Sequence, residues 1–167
     1  MQLRPGERVL ELGCGPGELT AGLLGRGAQV DAVDVSDDML RDAMRRAPGA
    51  SFEQADLVRY VPRRKYDAVL LSFVLHELDP VDISAVVTRA AVARSPDGRL
   101  VILDHSLPRG SSGRIWQGIL GLLEPARVTQ WLSLDLNAIL RSNELSAVVD
   151  RSLAGGRARL LVATRQA

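Results

Sequence analysis

The sequence predicts an α/β fold: a doubly wound sheet of seven strands with helices on both faces. Three observations carry this reading. Strand-length apolar runs alternate with helix-length amphipathic segments, the pattern of a parallel sheet. A glycine cluster, Gly13-Cys14-Gly15-Pro16-Gly17, follows the first strand directly. The last two strand-like segments, about 145–150 and 158–164, are joined across Gly155-Gly156, which is too short for a parallel crossover. The final strand therefore has to run antiparallel to its neighbour.

Each element has its own warrant. Val9-Leu10-Glu11-Leu12 is a short apolar run between Pro5-Gly6 and the glycine cluster, and reads as a buried strand. Glu18 to Gly25 places Leu19, Leu23 and Leu24 at helical spacing and stops at Gly25 and Gly27. Gln29 to Asp34 alternates as a second strand. Ser36 is a good N-cap, with Asp37 and Asp38 at the positive end of the helix dipole, and that helix runs to Pro48-Gly49. Ser51 to Ala55 gives a short third strand. Ala68 to Phe73 is continuously apolar, as a central strand covered on both faces must be. Pro80 to Arg94 is an amphipathic helix, Ser95-Pro96-Asp97-Gly98 a turn, and Leu100 to Leu103 the fifth strand. Then comes a Pro/Gly/Ser loop at 106–113 and an apolar, tryptophan-containing stretch from Ile115 to Leu140.

Composition narrows the function. The chain has 167 residues, so a single domain over 1–167 with a proper core is expected. Its 21 basic and 20 acidic residues give a net charge of +1 and no basic stripe, which argues against a nucleic-acid partner. A lone cysteine, Cys14, and two histidines point away from disulfides and from a structural zinc, and no metal site is expected. Nothing reads as a signal peptide or a spanning helix, so a cytoplasmic location is expected.

In a sheet of this kind, ligands bind at the carboxyl ends of the strands, beside the loop after the first strand. Here a dinucleotide or phosphate is disfavoured. Glu18 stands where a dinucleotide fingerprint needs glycine, its carboxylate would repel a pyrophosphate, and no Gly-Lys-Ser/Thr ending is present.

Glu11-Leu12-Gly13-Cys14-Gly15-Pro16-Gly17 resembles the first motif of the class I S-adenosylmethionine (AdoMet) dependent methyltransferases, and the likeness continues along the chain. Asp34, 17 residues after Gly17, matches the ribose-binding acid; Ala55-Asp56-Leu57 matches the segment whose acid meets the adenine amine. Tyr66 to Phe73 and Pro96 to Leu100 resemble the fourth-strand motif and the turn into the fifth. The resemblance implies strand order 3-2-1-4-5-7-6 with strand 7 antiparallel, and AdoMet as cofactor. It implies a cofactor site of Glu11, Gly13, Cys14, Gly15, Asp34, Val35, Met39, Ala55, Asp56, Leu57, Ser72 and Phe73. Chemistry agrees: carboxylates suit a ribose diol, an exocyclic amine and an ammonium, and Val35, Met39 and Leu57 suit an adenine wall.

Each of these residues also has a plainer reading. Glu11 could be an inward acid paired with an arginine, Asp34 and Asp56 turn caps, Cys14 a small packing residue and Met39 core. His76, in Ser72-Phe73-Val74-Leu75-His76-Glu77-Leu78, is the candidate general base, or else a group that orients the loop or caps the following helix. Asp104 and His105 face the same edge, read here as a turn-capping acid and an exposed histidine, with a part in catalysis as the alternative.

Only Met1 to Gly6 precede the first strand, so cover for the site is expected from an insert at 106–140. Its apolar residues suit a pocket for a small apolar or aromatic acceptor, a membrane-surface contact through 115–132, or simple packing on the sheet. The fourth-strand and insert regions look most like the quinone-biosynthesis and small-molecule branch. The leading expectation is methyl transfer to such a metabolite. The alternative is an AdoMet-binding subunit that is inactive until a partner completes it, and an oligomer is compatible with either.

Overall fold

The computed structural model describes residues 3–106, 130–132 and 134–166. Its elements are β1 (Arg8–Leu12), α1 (Glu18–Leu24), β2 (Gln29–Asp34), α2 (Asp37–Arg46), β3 (Ser51–Gln54), β4 (Tyr66–Ser72), α3 (Pro80–Ala93), β5 (Arg94–His105), α4 (Leu136–Ser142), β6 (Leu145–Leu153) and β7 (Ala158–Arg165). They form one seven-stranded sheet in the order β3-β2-β1-β4-β5-β7-β6. β7 runs antiparallel to both β5 and β6, as the short Gly155-Gly156 connection requires.

Period-2 alternation sorts the strand side chains between two cores. Leu10, Leu12, Val69, Leu71, Leu100 and Ile102 face one way and pack with Ile83, Val86 and Val87 of α3 and Leu140 of α4. Val9, Val30, Ala32, Ala68, Leu70 and Val101 face the other way and pack with Leu23 of α1 and Leu40 and Ala43 of α2. β4 supplies both cores, which is why its sequence is apolar without interruption.

The element ends follow local chemistry. Ser36 Oγ accepts from Met39 N at 3.3 Å and caps α2, with Asp37 and Asp38 in its first turn. Pro80 sits in the first turn of α3, where its missing N–H costs nothing. One expectation is corrected. Ser95–Gly98 is not a turn separating helix from strand but a bulge inside β5: Tyr66 pairs with Arg94, and the next pair is Ala68 with Arg99. Arg94 Nη1 holds the bulge by donating to the carbonyls of Ser95, Pro96 and Gly98. A Cβ on Gly98 would lie 2.7 Å from the Tyr66 carbonyl oxygen, so the turn residues are needed but the strand runs through them.

Most of the 106–140 insert, and the membrane-surface contact read for 115–132, lie outside the described residues. Within the described part, Trp131 is buried in the core beside Leu136 and Leu140, so packing on the sheet holds for that end of the stretch.

Candidate active site

The parallel pairing of β3, β2, β1 and β4 brings their carboxyl ends to one edge. Residues far apart in sequence thereby become neighbours: Glu11 and the glycine loop after β1, Asp34 and Val35 after β2, Ala55-Asp56-Leu57 after β3, and Ser72-Phe73 at the end of β4.

The loop is tied down from below. Gly13 N and Cys14 N donate to the Val33 carbonyl at 2.8 and 3.1 Å, and Gly15 N donates to Asp34 Oδ2 at 2.7 Å. Gly13 and Gly15 both take positive φ, but for different reasons. A Cβ on Gly13 would strike the Val74 side chain at 2.6 Å, whereas one on Gly15 would meet nothing within 4 Å. Gly13 is a packing necessity. Gly15 presents bare backbone to open space.

Asp34 fulfils the capping reading: its other oxygen accepts from Ser36 N at 2.9 Å. Asp56 Oδ1 likewise accepts from Val58 N at 2.9 Å. Glu11 differs. It is 1% exposed, and its partner is not an arginine but Thr20, whose Oγ1 donates to Oε2 at 2.6 Å. Burial pushes its carboxyl up to about 7; the Thr20 hydrogen bond opposes this and the nearby Asp34 charge adds to it. Sequence reasoning missed Thr20, although a polar residue on the buried face of α1 was a usable signal. Cys14 is buried with its thiol pushed up to about 12 by desolvation, which suits the packing reading and not a nucleophile.

The proposed apolar walls divide. Val35 is 66% exposed, Met39 44% and Phe73 42%, so Met39 is not core. Leu57 is instead covered by the protein and packs with the α3-side core. Gln54 Nε2, also unforeseen, fixes the Val35 carbonyl at 3.1 Å. Phe73 has φ 51°, a left-handed conformation that costs a bulky L residue roughly 1–3 kcal/mol.

At the end of β5, Asp104 is buried at 1% exposure and does more than cap a turn. Oδ2 accepts from Leu75 N at 2.9 Å and His76 N at 3.4 Å; Oδ1 accepts from His105 N at 2.7 Å and meets His76 Nδ1 at 2.8 Å. Against a carboxylate so arranged, Nδ1 is the donor, which leaves Nε2 as the basic nitrogen of the ring. His105 is exposed, as expected, and its ring lies edge-on to both His76 at 4.5 Å and Phe73 at 5.1 Å between centroids. The ligand atoms of His76, Asp104 and His105 fall within 4.8 Å of one another. Both Asp104 oxygens already accept from N–H donors, and the carboxylate fixes the orientation of the His76 ring. The two readings of His76, base and loop-orienting group, thus share one hydrogen bond, and the pairing itself was not foreseen.

The comparisons with known proteins agree with the fold. Residues 9–98 match the methyltransferase domain family. An uncharacterized methyltransferase from Synechocystis is 29% identical over 93% of this chain and 74% of its own length. A demethylmenaquinone methyltransferase from Beutenbergia cavernae is 37% identical over 63% of this chain, which spans only 43% of that protein. Among solved structures, magnesium protoporphyrin IX methyltransferase from Synechocystis with bound S-adenosylhomocysteine aligns with a TM-score of 0.79 at 27% identity, over 97% of this chain and 75% of that one. The chain belongs to the methyltransferase domain family, within the class I S-adenosylmethionine-dependent methyltransferases.

Proposed function

We propose that this domain transfers the methyl group of AdoMet to a small, apolar or aromatic metabolite, and that His76 takes a proton from the acceptor. The observation that carries the acid–base part is the His76–Asp104 pair at 2.8 Å, set at the same sheet edge as the glycine loop.

The residues at that edge fit the cofactor. Gly15 offers open backbone, Val35 and Met39 offer uncovered apolar surface, and Glu11 and Asp34 offer acceptors for cationic and hydroxyl groups. When bound, AdoMet supplies an electrophilic methyl group on a sulfonium centre. The chain's own residues do the rest. Asp34 would receive the ribose hydroxyls, Asp56 the adenine amine, and Glu11 the methionyl ammonium. Asp104 holds the His76 ring so that Nε2 accepts the acceptor's proton and the imidazolium is stabilised by the adjacent carboxylate. Alignment of acceptor and methyl carries much of the acceleration.

The relatives suggest where to look for the acceptor, being named for demethylmenaquinone, trans-aconitate and magnesium protoporphyrin IX. The test is a radiolabelled methyl-transfer assay against a naphthoquinol, simple phenols, trans-aconitate and a porphyrin carboxylate. His76→Ala should lower turnover by roughly 10²–10⁴-fold with AdoMet affinity unchanged. Wild-type turnover by that variant at saturating acceptor would overturn the base assignment. AdoMet binding without turnover on any acceptor would favour a partner-dependent subunit.

A further inference from the structure

The chain contains two histidines, and the fold brings both to one place. His76 follows β4, His105 closes β5, and their rings meet edge-on with centroids 4.5 Å apart. Asp104 joins them: its Oδ1 lies 2.8 Å from His76 Nδ1 and accepts from the His105 N–H at 2.7 Å. One ring nitrogen of each histidine and one oxygen of Asp104 lie within 4.8 Å of one another. Two imidazoles and a carboxylate are the donor set of an open three-ligand site, whose remaining position takes water or a substrate.

The spacing is close to what such a site needs. Adjacent donors at 2.0–2.2 Å from one ion stand roughly 3–3.5 Å apart. His76 Nδ1 and Asp104 Oδ1 are within a few tenths of an ångström of that. The exposed His105 ring closes the remainder by side-chain rotation, because its backbone is held at both ends: the N–H donates to Asp104, and the carbonyl accepts from Trp131 Nε1–H at 2.9 Å. Asp104 keeps its place when an ion replaces the His76 N–H. Leu75 N still holds Oδ2 at 2.9 Å and His105 N still holds Oδ1, so only one lone pair changes partner.

We propose that His76, Asp104 and His105 bind a divalent transition-metal ion of the zinc type, and that the bound ion switches off the base. Imidazole donors select zinc, cobalt and nickel over magnesium and calcium, which take oxygen ligands. The ion occupies the place of the proton between Nδ1 and Oδ1. That proton moves to Nε2, which turns from acceptor into donor. The ligand set stands on its own; its effect on turnover rests on the reading of His76 as base.

The experiment titrates untagged, metal-stripped protein with Zn²⁺ by calorimetry and with Co²⁺ by visible absorption. One equivalent should bind, Co²⁺ should develop the ligand-field bands of a four- or five-coordinate ion, and Mg²⁺ should not compete. Because the chain holds no third histidine, His105→Ala leaves a single imidazole and should weaken Zn²⁺ by about tenfold or more. His105→Gln serves if that variant fails to fold. With the acceptor found by the assay above, Zn²⁺ should inhibit turnover over the range in which it binds, a chelator should restore it, and His105→Ala should shift the inhibition by the same factor as the binding. Absence of Zn²⁺ binding, or binding as tight in His105→Ala as in the wild type, or binding matched by Mg²⁺, would overturn the site. Binding that depends on His105 but leaves wild-type turnover unchanged would instead overturn the inhibition and the base assignment beneath it, and leave the ligand set standing.

Discussion

The proposed place of Glu11 against the methionyl ammonium makes AdoMet binding a proton-linked event. A carboxyl pushed up to about 7 from an ordinary 4.5 is mostly protonated in the ligand-free protein below neutrality. That gap is worth roughly 3 kcal/mol, all of it opposing the buried charge. In the free protein the sign is that of a raised carboxyl: its contribution to stability is fully present below pH 4.5 and is lost as pH rises through about 7. Placing the methionyl ammonium against it reverses the preference, because a cation favours the ionised form. Binding should then release a proton, and affinity should climb with pH while the free form remains protonated. From the ionised fractions, the rise between pH 5 and 7 is roughly fifty-fold, flattening above 7. Above about pH 8 the ligand's own α-amino group loses its charge and affinity falls again. Calorimetry in two buffers of different ionisation enthalpy reads both quantities, and Glu11→Gln should remove the slope and the proton release together. Flat wild-type affinity from pH 5 to 7 with no proton released would refute the assignment of Glu11 to the ammonium.

Three further outcomes are expected. Asp34→Ala should weaken AdoMet by roughly 10- to 200-fold, the loss of one charge-assisted hydrogen bond at 1.5–3 kcal/mol, measured by calorimetry on protein shown to be folded. Gly15→Leu should lose binding while costing only about 1–2 kcal/mol of stability, since the left-handed backbone strains a side chain but open space lies above it; retained binding would reduce the loop to a turn. Asp104→Asn should lower turnover by roughly 10²–10⁴-fold and distort the pH–rate profile, because an amide no longer fixes the proton on His76 Nδ1; an unchanged profile would leave Asp104 as a loop cap alone.

The strand-end edge proposed to hold the cofactor was legible in the sequence because its signals are local. Glycines, a strand-end acid and a helix cap each act within a few residues, and the order of the motifs fixes which strand ends meet. The acceptor half was not. His76 and Asp104 are 28 residues apart, and Trp131 and His105 are 26 apart; only tertiary packing pairs them. Asp104 read from its neighbours alone is a turn cap, and it is one, but the same oxygens that hold three backbone N–H groups also hold an imidazole. Thr20 escaped for the same reason, since its role exists only once α1 folds back on β1. The bulge in β5 shows the converse: the turn residues were read correctly, and the pairing of Tyr66 with Arg94 overrode their usual consequence.

These arrangements share a logic. The site edge carries costs that a purely structural edge would shed: a buried carboxyl held by one hydroxyl at Glu11, a strained Phe73, and apolar Val35 and Met39 left uncovered. AdoMet at this edge would offset two of these costs, by supplying a cation to Glu11 and an apolar face to Val35 and Met39. Asp34 and Asp104, by contrast, are held by backbone donors before anything binds, so their oxygens are positioned in advance and need no reorganisation. The division follows from what each group must do. Groups that only receive charge can wait in an unfavourable state, which makes occupancy stabilise the domain; groups that aim a base or a loop must already be in place. Ligand binding should therefore raise the melting temperature through the Glu11 side of the site, and variants of Asp104 should alter turnover without altering that rise.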